Sequence, residues 1–217
     1  MTVRIDRNRV ERGRQPERML TAEPIRTGHF AAGAHYGCKR WSGTDDWLLI
    51  CTVAGAGRFG HASGSLVSGA GDLVLLSPRH PHDYATATPP GTWEFTWAHF
   101  LPPPHWLAWL AWPEQAPGVL RLALGTDLEF ARIAARLRVM DQHATSVQVH
   151  RYALAINALE EAILLADARN PARAASVDDR VRVAADAVRA DLTHAWSIAD
   201  LAVEAGLSTS RFAHLFR

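Results

Sequence analysis

Residues 197–217 read SIADLAVEAGLSTSRFAHLFR, a pattern typical of two short helices joined by a tight turn. Ser197 and Asp200 form a capping box that opens the first helix. Ala202 is small enough to let the helices approach, and Gly206 suits the turn between them. The inward-facing residues predict a small apolar core, made of Leu201, Ala205, Leu207, Phe212 and Leu215.

The outward face of the second helix carries polar side chains. With Phe212 and Leu215 turned inward, helical geometry leaves four residues outside: Ser210, Arg211, His214 and Arg217. Side chains of these types contact bases and phosphates of DNA. We therefore predict DNA as a partner, with the first three of these residues on bases and Arg217 on a phosphate. The alternative is an ordinary helical hairpin with a solvent-facing outer surface.

The composition is that of an ordinary globular protein. The 217 residues are 48% hydrophobic and 21% charged, with a formal net charge of +1, so overall charge does not indicate nucleic-acid binding. No apolar run approaches the roughly 20 residues that cross a bilayer, and the start lacks an apolar signal segment. These features predict a cytoplasmic protein with no membrane partner. Cys38 and Cys51 are too few for a disulfide framework and are predicted to be free thiols.

Apolar periodicity and the placement of Gly and Pro divide the chain into four parts. Residues 1–27 are polar and rich in arginine, and they predict an exposed arm. Residues 28–168 begin with short apolar runs separated by turn signals such as Gly55-Ala56-Gly57, a pattern typical of a β-sandwich or small barrel. Helices follow within the same part. Residues 169–176 are predicted to be a linker, and residues 177–217 a helix-turn-helix unit.

The expected elements can be placed more closely. Strands are predicted at 47–53, 58–61, 65–67, 72–76 and 93–100, and helices at 105–112, 127–142, 149–168 and 177–192. In the last strand, two-residue alternation puts four side chains on one face, namely Trp93, Phe95, Trp97 and His99. The helix at 149–168 has an apolar seam with 3-4-3-4-3 spacing, made of Val149, Tyr152, Ile156, Leu159, Ile163 and Ala166. This seam needs a partner, which is either the β-domain of the same chain or a second copy.

A second apolar row on the same helix, Leu154, Leu164 and Leu165, would let the helix serve both partners at once. We therefore predict a homodimer, with Asn157 beside the seam available for a hydrogen bond that sets the register. The predicted dimer contact consists of Leu154, Asn157, Glu161 and Leu164.

The end of the chain closely resembles the first helix-turn-helix unit of AraC-family transcription regulators, through residues 179–182, 197–202 and 207–217. The upstream half is similar to the arabinose-binding-type cupin domain of that family. The residues that carry this second likeness are Arg40, the strand 47–50, Gly55-Ala56-Gly57, GDLVLLSP at 71–78, PHDY at 81–84, WEFTW at 93–97, and His105-Trp106 with Trp109, Trp112 and Pro113.

The resemblance implies an α+β fold, with a cupin-like β-barrel, then a helical dimerisation region, then a partial helix-turn-helix domain. It implies a sequence-specific DNA-binding transcription regulator that is controlled by a small-molecule effector, has no enzymatic activity and needs no cofactor. Family members carry two helix-turn-helix units, whereas this sequence stops on the recognition helix of the first. We therefore expect a chain truncated after the first unit, which alone binds DNA weakly.

Transferred residue by residue, the resemblance puts Arg40, Tyr84 and Trp97 at positions that contact the sugar in the arabinose sensor of the family. A Trp face suits the C–H face of a pyranose, and Arg and Tyr supply directional hydrogen bonds to hydroxyls. Phe95 stands where that sensor has a sugar-contacting histidine, so we expect either a different small sugar or a more apolar effector. The alternative is that these aromatic residues simply fill the barrel.

A cupin-fold metal-dependent enzyme, an isomerase or oxygenase, is the alternative function. His80-Pro81-His82 has the spacing that points two imidazoles to the same side of a strand. A metal site needs a third and a fourth ligand, but Asp83 points to the opposite face and Glu94 lies beyond a Pro-Pro-Gly turn. Because the ligand set is incomplete, we predict no metal and no catalytic residues.

Overall fold

The structure is a computed structural model that describes residues 23–176 and 179–215. It divides into two units, with the boundary between Asp167 and Ala168. In its described part, the first unit contains β1 (Ile25–Gly33), β2 (Gly37–Arg40), β3 (Trp47–His61), β4 (Gly64–Gly69), β5 (Asp72–Leu76), β6 (His82–Thr86), β7 (Thr92–Phe100), a 3₁₀ helix (Pro104–Ala108), β8 (Glu114–Ala116), β9 (Val119–Ala123), α1 (Leu128–Ala144) and α2 (Arg151–Asp167).

The strands form an antiparallel, cupin-like sheet, which confirms the predicted α+β fold of a β-barrel followed by helices. One path runs β1-β7-β3-β5-β9-β8. The first half of β3 pairs with β5 and β7, and its second half pairs with β4 and β6, while β2 pairs with β6. A single strand of 15 residues thus belongs to both layers of the barrel.

The predicted turn at Gly55-Ala56-Gly57 is wrong, because β3 continues through it. The register with β7 shifts between Thr52 and Ala54, which is a β-bulge. Gly55 has φ of +69°, and a Cβ there would collide with the carbonyl of Thr92. Glycine therefore bends the strand at this point instead of ending it.

Alternate residues of β3 and β7 face two different cores, as the two-residue period of a strand requires. The helix-side core takes Leu49 and Cys51 of β3 and packs them against both helices. The barrel-interior core consists of Leu48, Ile50, Phe59, Val74, Leu76, Tyr84, Trp93, Phe95, Ala116 and Val119, with Tyr36, Cys38 and Trp97 packed against them.

The apolar seam of α2 packs on the β-domain of its own chain and not on a second copy. Leu159, Ile163 and Ala166 are buried in the helix-side core, and Tyr152 and Ile156 are partly buried there. Val149 is wrong as a seam residue, because it precedes the first residue of α2 and is 93% exposed. Of the second row, Leu154 and Leu164 are exposed, whereas Leu165 packs partly against the same core.

Strand β1 begins inside the segment that the sequence assigns to the arm. Ile25 is buried in the helix-side core, and the Thr27 hydroxyl donates to Asp141 of α1 at 2.7 Å. Just before the strand, Glu23 accepts a hydrogen bond from the hydroxyl of Tyr152 on α2 at 2.7 Å. These contacts fix the start of the barrel at residue 25, and residues 1–22 lie outside the described part.

The structure corrects two more sequence predictions, one for the segment before α1 and one for the segment after α2. The predicted helix at 105–112 is the shorter 3₁₀ helix, and β8 and β9 follow it where only helices were expected. Gly118, with φ of +69°, makes the turn between these strands. The predicted linker contains a short helix, α3 (Pro171–Ser176), because Asn170 accepts a hydrogen bond from the Ala172 amide and Pro171 suits a first helical turn.

The second unit continues with α4 (Asp179–Ala190), α5 (Ile198–Glu204) and α6 (Thr209–Leu215). The predicted capping box of Ser197 and Asp200 is present, and Gly206 takes φ of +63° in the turn between α5 and α6. The small core consists of Ala184, Ala202, Ala205 and Phe212, with Leu201 and Leu207 packed against it. Leu215 is wrong as a core residue: it is 39% exposed, because this core closes before the last turn of α6.

Candidate functional site

Four side chains of β7 line the inside of the barrel, as alternation predicts. Trp93 and Phe95 are stacked with ring centroids 4.0 Å apart, and both are buried. Trp97 follows, with its ring centroid 5.7 Å from that of His99. Along this strand the interior thus changes from purely aromatic at Trp93 to polar at His99.

Strands β2 and β6 bring Arg40 and Tyr84 to the same interior. Arg40 pairs directly with His82 in the register, and its Nη1 lies 3.5 Å from Nδ1 of that histidine. Tyr84 is buried, with its ring centroid 6.3 Å from Trp93, and it lies close to Arg40, Tyr36 and the Cys38 thiol. The structure therefore places all four predicted ligand residues, Arg40, Tyr84, Phe95 and Trp97, on the interior side of the barrel.

A partly buried carboxylate, Asp46, lies at the polar end of the interior. Asp46 Oδ1 lies 2.8 Å from His99 Nδ1, and Arg26 Nη2 donates to Asp46 Oδ2 at 3.2 Å. Burial would raise the pKa of Asp46, but the hydrogen bonds from His99 and Thr44 and the charge of Arg26 outweigh it and lower that pKa. Burial also lowers the pKa of His99, in spite of the neighbouring carboxylate.

His82 is a neutral histidine with one unpaired nitrogen. Burial, reinforced by His99 and Arg40, lowers the pKa of His82 to about 3. Because the Arg40 guanidinium can only donate, Nδ1 of His82 must accept, so its proton lies on Nε2. This Nε2–H group is buried and has no hydrogen-bond partner in the described residues.

The indole of Trp97 is the second orphan donor. Its Nε1–H group is buried and also lacks an acceptor in the described part of the chain. The ring lies against the backbone of Gly28 on β1, where a Cβ would be 2.7 Å from Nε1. Glycine at residue 28 thus makes room for the indole, and two unpaired N–H groups lie inside one barrel.

Sequence reasoning missed His82, His99, Asp46 and Tyr36 as parts of this polar end. The alternation on β7 had placed His99 inward, but Asp46 lies in a loop without periodicity. His82 was considered only together with His80 as a metal ligand, and that pairing is wrong. Strand β6 begins at His82, so His80 lies outside it and is partly exposed, while His82 is buried.

The described residues bring together no group of three His, Cys, Asp or Glu side chains able to hold a metal. Cys38 is partly buried and Cys51 fully buried, and both are free thiols, as predicted. Among the described helices, none has the length and apolar character to cross a membrane.

Three of the predicted DNA-facing residues lie on α6. Ser210, Arg211 and His214 are exposed, opposite the buried Phe212. Arg217 lies outside the described residues. On α2, Leu154, Asn157, Glu161 and Leu164 share an exposed row, in which Glu161 pairs with Arg136 of α1 at 3.0 Å.

The solved structures with some likeness to this chain include three regulators. A ToxT variant from Vibrio cholerae is 10% identical over 88% of this chain and 73% of that one, with a TM-score of 0.45. The AraC-like transcriptional activator CuxR is 13% identical over 89% of this chain and 67% of that one, with a TM-score of 0.41. An HTH_3 family regulator from Vibrio cholerae is 14% identical over 37% of this chain and 44% of that one, with a TM-score of 0.32.

No curated protein matches the chain significantly. The family model of the AraC-like ligand binding domain matches residues 24–176, which cover the barrel and both of its helices. This match includes the strands that carry the polar interior and the helix with the exposed row. The chain therefore belongs to the family of AraC-like ligand-binding domains.

Proposed function

We propose that this protein is a cytoplasmic, sequence-specific DNA-binding transcription regulator and not an enzyme. A small-molecule effector, a sugar or related compound, binds inside the barrel and controls it. The observation that carries the proposal is the barrel interior, where polar groups without partners lie among stacked aromatic rings. Unpaired buried donors cost free energy, and a ligand that pairs with them recovers that cost.

Within this proposal, each interior residue has a role. Trp97 presents its face to the C–H surface of the effector and its N–H group to an oxygen. Arg40 and Tyr84 donate directional hydrogen bonds. Phe95, which stacks on Trp93, forms an apolar wall that selects against ligands needing a hydrogen bond at that position.

The proposed homodimer forms through the exposed row of α2. Leu154 and Leu164 supply apolar surface, Asn157 a register-setting hydrogen bond and Glu161 a charge at the rim. Changing Leu154 and Leu164 together to Glu should give monomers in sedimentation velocity, because two carboxylates would be buried without partners. The buried seam stays intact in this variant. A wild-type protein that is already monomeric at micromolar concentration would rule out the dimer.

The proposed DNA contacts lie on α6 and at Arg217. Arg211→Ala should cost about 1–3 kcal/mol on a DNA sequence selected by the protein and much less on random DNA. Arg217→Ala should weaken both about equally and reduce the salt dependence, because a phosphate contact carries no sequence information. Fluorescence anisotropy at two salt concentrations measures both effects. Equal losses on both DNAs for Arg211→Ala would make this residue a backbone contact.

Effector control follows from thermodynamic linkage between effector binding and DNA binding. A ligand that binds one arrangement of the dimer better than another shifts the population toward it and changes which DNA half-sites are reached together. A thermal-shift screen of pentoses, hexoses and their derivatives tests the effector, because a ligand of the native state raises the melting temperature. The matching control is Trp97→Ala, which should remove any shift. No shift from any compound would count against an effector site in this barrel.

A further inference from the structure

Arg40 is a half-buried cation without a counter-charge. In the described part of the chain it forms no ion pair, whereas two neighbouring cations, Lys39 and Arg58, share the carboxylate of Asp83 at 3.9 and 2.8 Å. The polar groups around Arg40 are Nδ1 of His82, the hydroxyls of Tyr84 and Tyr36 and the thiol of Cys38, and none of them is a carboxylate. A partly desolvated guanidinium with neutral neighbours favours binding of an anion.

The acids near this cation are engaged elsewhere. Asp83 lies on the opposite face of β6 from His82 and Tyr84. Glu94 lies on the opposite face of β7 from Trp97 and is 3.3 Å from His29 and 3.6 Å from Arg138. Asp46, at the polar end itself, is held by His99 and Arg26. No carboxylate of the described residues is therefore left to neutralise Arg40.

The unpaired groups of the interior are also all donors. Nε2 of His82 carries a proton because Nδ1 accepts from Arg40, and Nε1 of Trp97 can only donate. A neutral hydroxyl both donates and accepts, so beside these donors it leaves a proton of its own to be satisfied. A carboxylate accepts up to four hydrogen bonds and donates none, so its chemistry matches these donors.

We infer that the effector of this protein carries a carboxylate, which binds at the polar end of the barrel through Arg40 and the unpaired N–H donors. The inference rests on the proposed function, in which the effector lies inside the barrel. A single cation and planar N–H donors suit a monoanionic carboxylate better than a phosphate dianion. The rest of the ligand lies against Phe95 and Trp93, which favours a small organic acid with a ring or C–H face, such as a sugar acid.

Matched pairs of probes test this inference on the full chain. D-galacturonate against D-galactose, D-glucuronate against D-glucose and benzoate against benzyl alcohol differ chiefly in the carboxylate. We expect at least one acid to raise the melting temperature by roughly 5–10 °C at about 100 times its dissociation constant, with a much smaller shift from its neutral partner. Arg40→Gln should weaken binding of that acid at least about 30-fold, while Arg40→Lys keeps part of the preference.

Arg58→Gln is the control, because this arginine is also half-buried but is already neutralised by Asp83 and should leave acid binding unchanged. If a neutral probe binds as well as its acid, or if Arg40→Gln keeps the acid preference, the carboxylate is excluded while effector binding stands. If no probe of any pair shifts the melting temperature, both this inference and the proposed effector site are overturned. The comparison of acid with neutral probe needs no variant, so it holds even where Arg40→Gln fails to fold.

Discussion

The two sides of β7 bury indoles in opposite ways. On the helix side, Trp106 donates to Glu160 at 3.2 Å and Trp112 donates to the carbonyl of Trp109 at 2.8 Å. On the barrel-interior side, Trp93 donates to Thr52 at 3.1 Å, but Trp97 has no acceptor in the described residues. Both of these helix-side indoles are therefore paired within the protein, whereas one of the two barrel-interior indoles is unpaired among the described residues. This difference supports the proposal that a ligand binds in the barrel-interior core.

The largest expected effect tests the helix-side core. Leu159 of α2 is fully buried there, so Leu159→Ala should lower the free energy of unfolding by about 2–5 kcal/mol in urea denaturation. Leu128→Ala, at the first residue of α1 and 84% exposed, is the matched control and should change it by less than about 0.5 kcal/mol. Equal losses from both variants would contradict the burial of Leu159.

The second prediction concerns the barrel interior. Trp97→Ala should weaken effector binding by roughly 30-fold to 1000-fold, because it removes both a stacking face and a donor, while the circular dichroism spectrum shows that the fold is retained. Isothermal titration with a compound found in the thermal-shift screen measures this. Trp41→Ala removes a surface tryptophan that is 77% exposed and serves as the control. Unchanged affinity for Trp97→Ala would move the binding site elsewhere.

The third prediction concerns the pH dependence of stability that the buried histidines of the barrel interior should cause. The pKa of His82 is about 3 in the folded protein, well below its ordinary value of 6.5, and the pKa of His99 is also lowered. Below pH 6.5 the unfolded chain therefore binds protons that the folded chain excludes, so stability falls as pH falls. The lowered pKa of Asp46 adds a loss in the same direction, chiefly below pH 4.

For His82 alone, the expected slope is about 1.4 kcal/mol per pH unit between pH 6 and pH 4. His82→Gln should reduce the measured slope by about that amount in urea denaturation at several pH values. His150→Gln removes an exposed histidine just before α2 and should leave the slope unchanged. A slope that does not respond to His82→Gln would show that this imidazole is accessible to solvent.

The smallest expected effect compares paired with unpaired indoles directly. Trp106→Phe removes a satisfied N–H group and should lower the free energy of unfolding by about 1 kcal/mol. Trp97→Phe keeps an aromatic ring but removes an unsatisfied donor, so stability should stay the same or rise slightly, while effector affinity drops roughly 3-fold to 10-fold. A loss of stability from Trp97→Phe equal to that from Trp106→Phe would show that Trp97 has an acceptor within the protein.

The sequence predicted those parts of the molecule that repeat with a regular period. Alternation placed Trp93, Phe95, Trp97 and His99 on one face of β7, and the 3-4 spacing of α2 identified Leu159 and Ile163 as buried. Periodicity could not reveal that β3 extends through Gly55, because glycine occurs both in β-bulges and in turns.

The polar end of the barrel was only partly predictable, for a different reason. Arg40 and Tyr84 were identified by the family resemblance, but their contact with His82 depends on how β2 pairs with β6. Asp46 reaches His99 from a loop 53 residues earlier in the chain, and no local pattern encodes that distance. The orphan nitrogens of His82 and Trp97 are defined by what surrounds them, so only the folded structure reveals them.

Strand β1 also has a mechanical consequence. It is an edge strand that pairs with β7, and its residue 28 lies directly beneath the indole of Trp97. One residue earlier, Thr27 is tied to α1, and Glu23 is tied to α2. A ligand that pushes the indole toward Gly28 must displace the strand, because the ring already touches its backbone. Through these contacts, the segment that contains β1 connects the barrel interior to both α1 and α2.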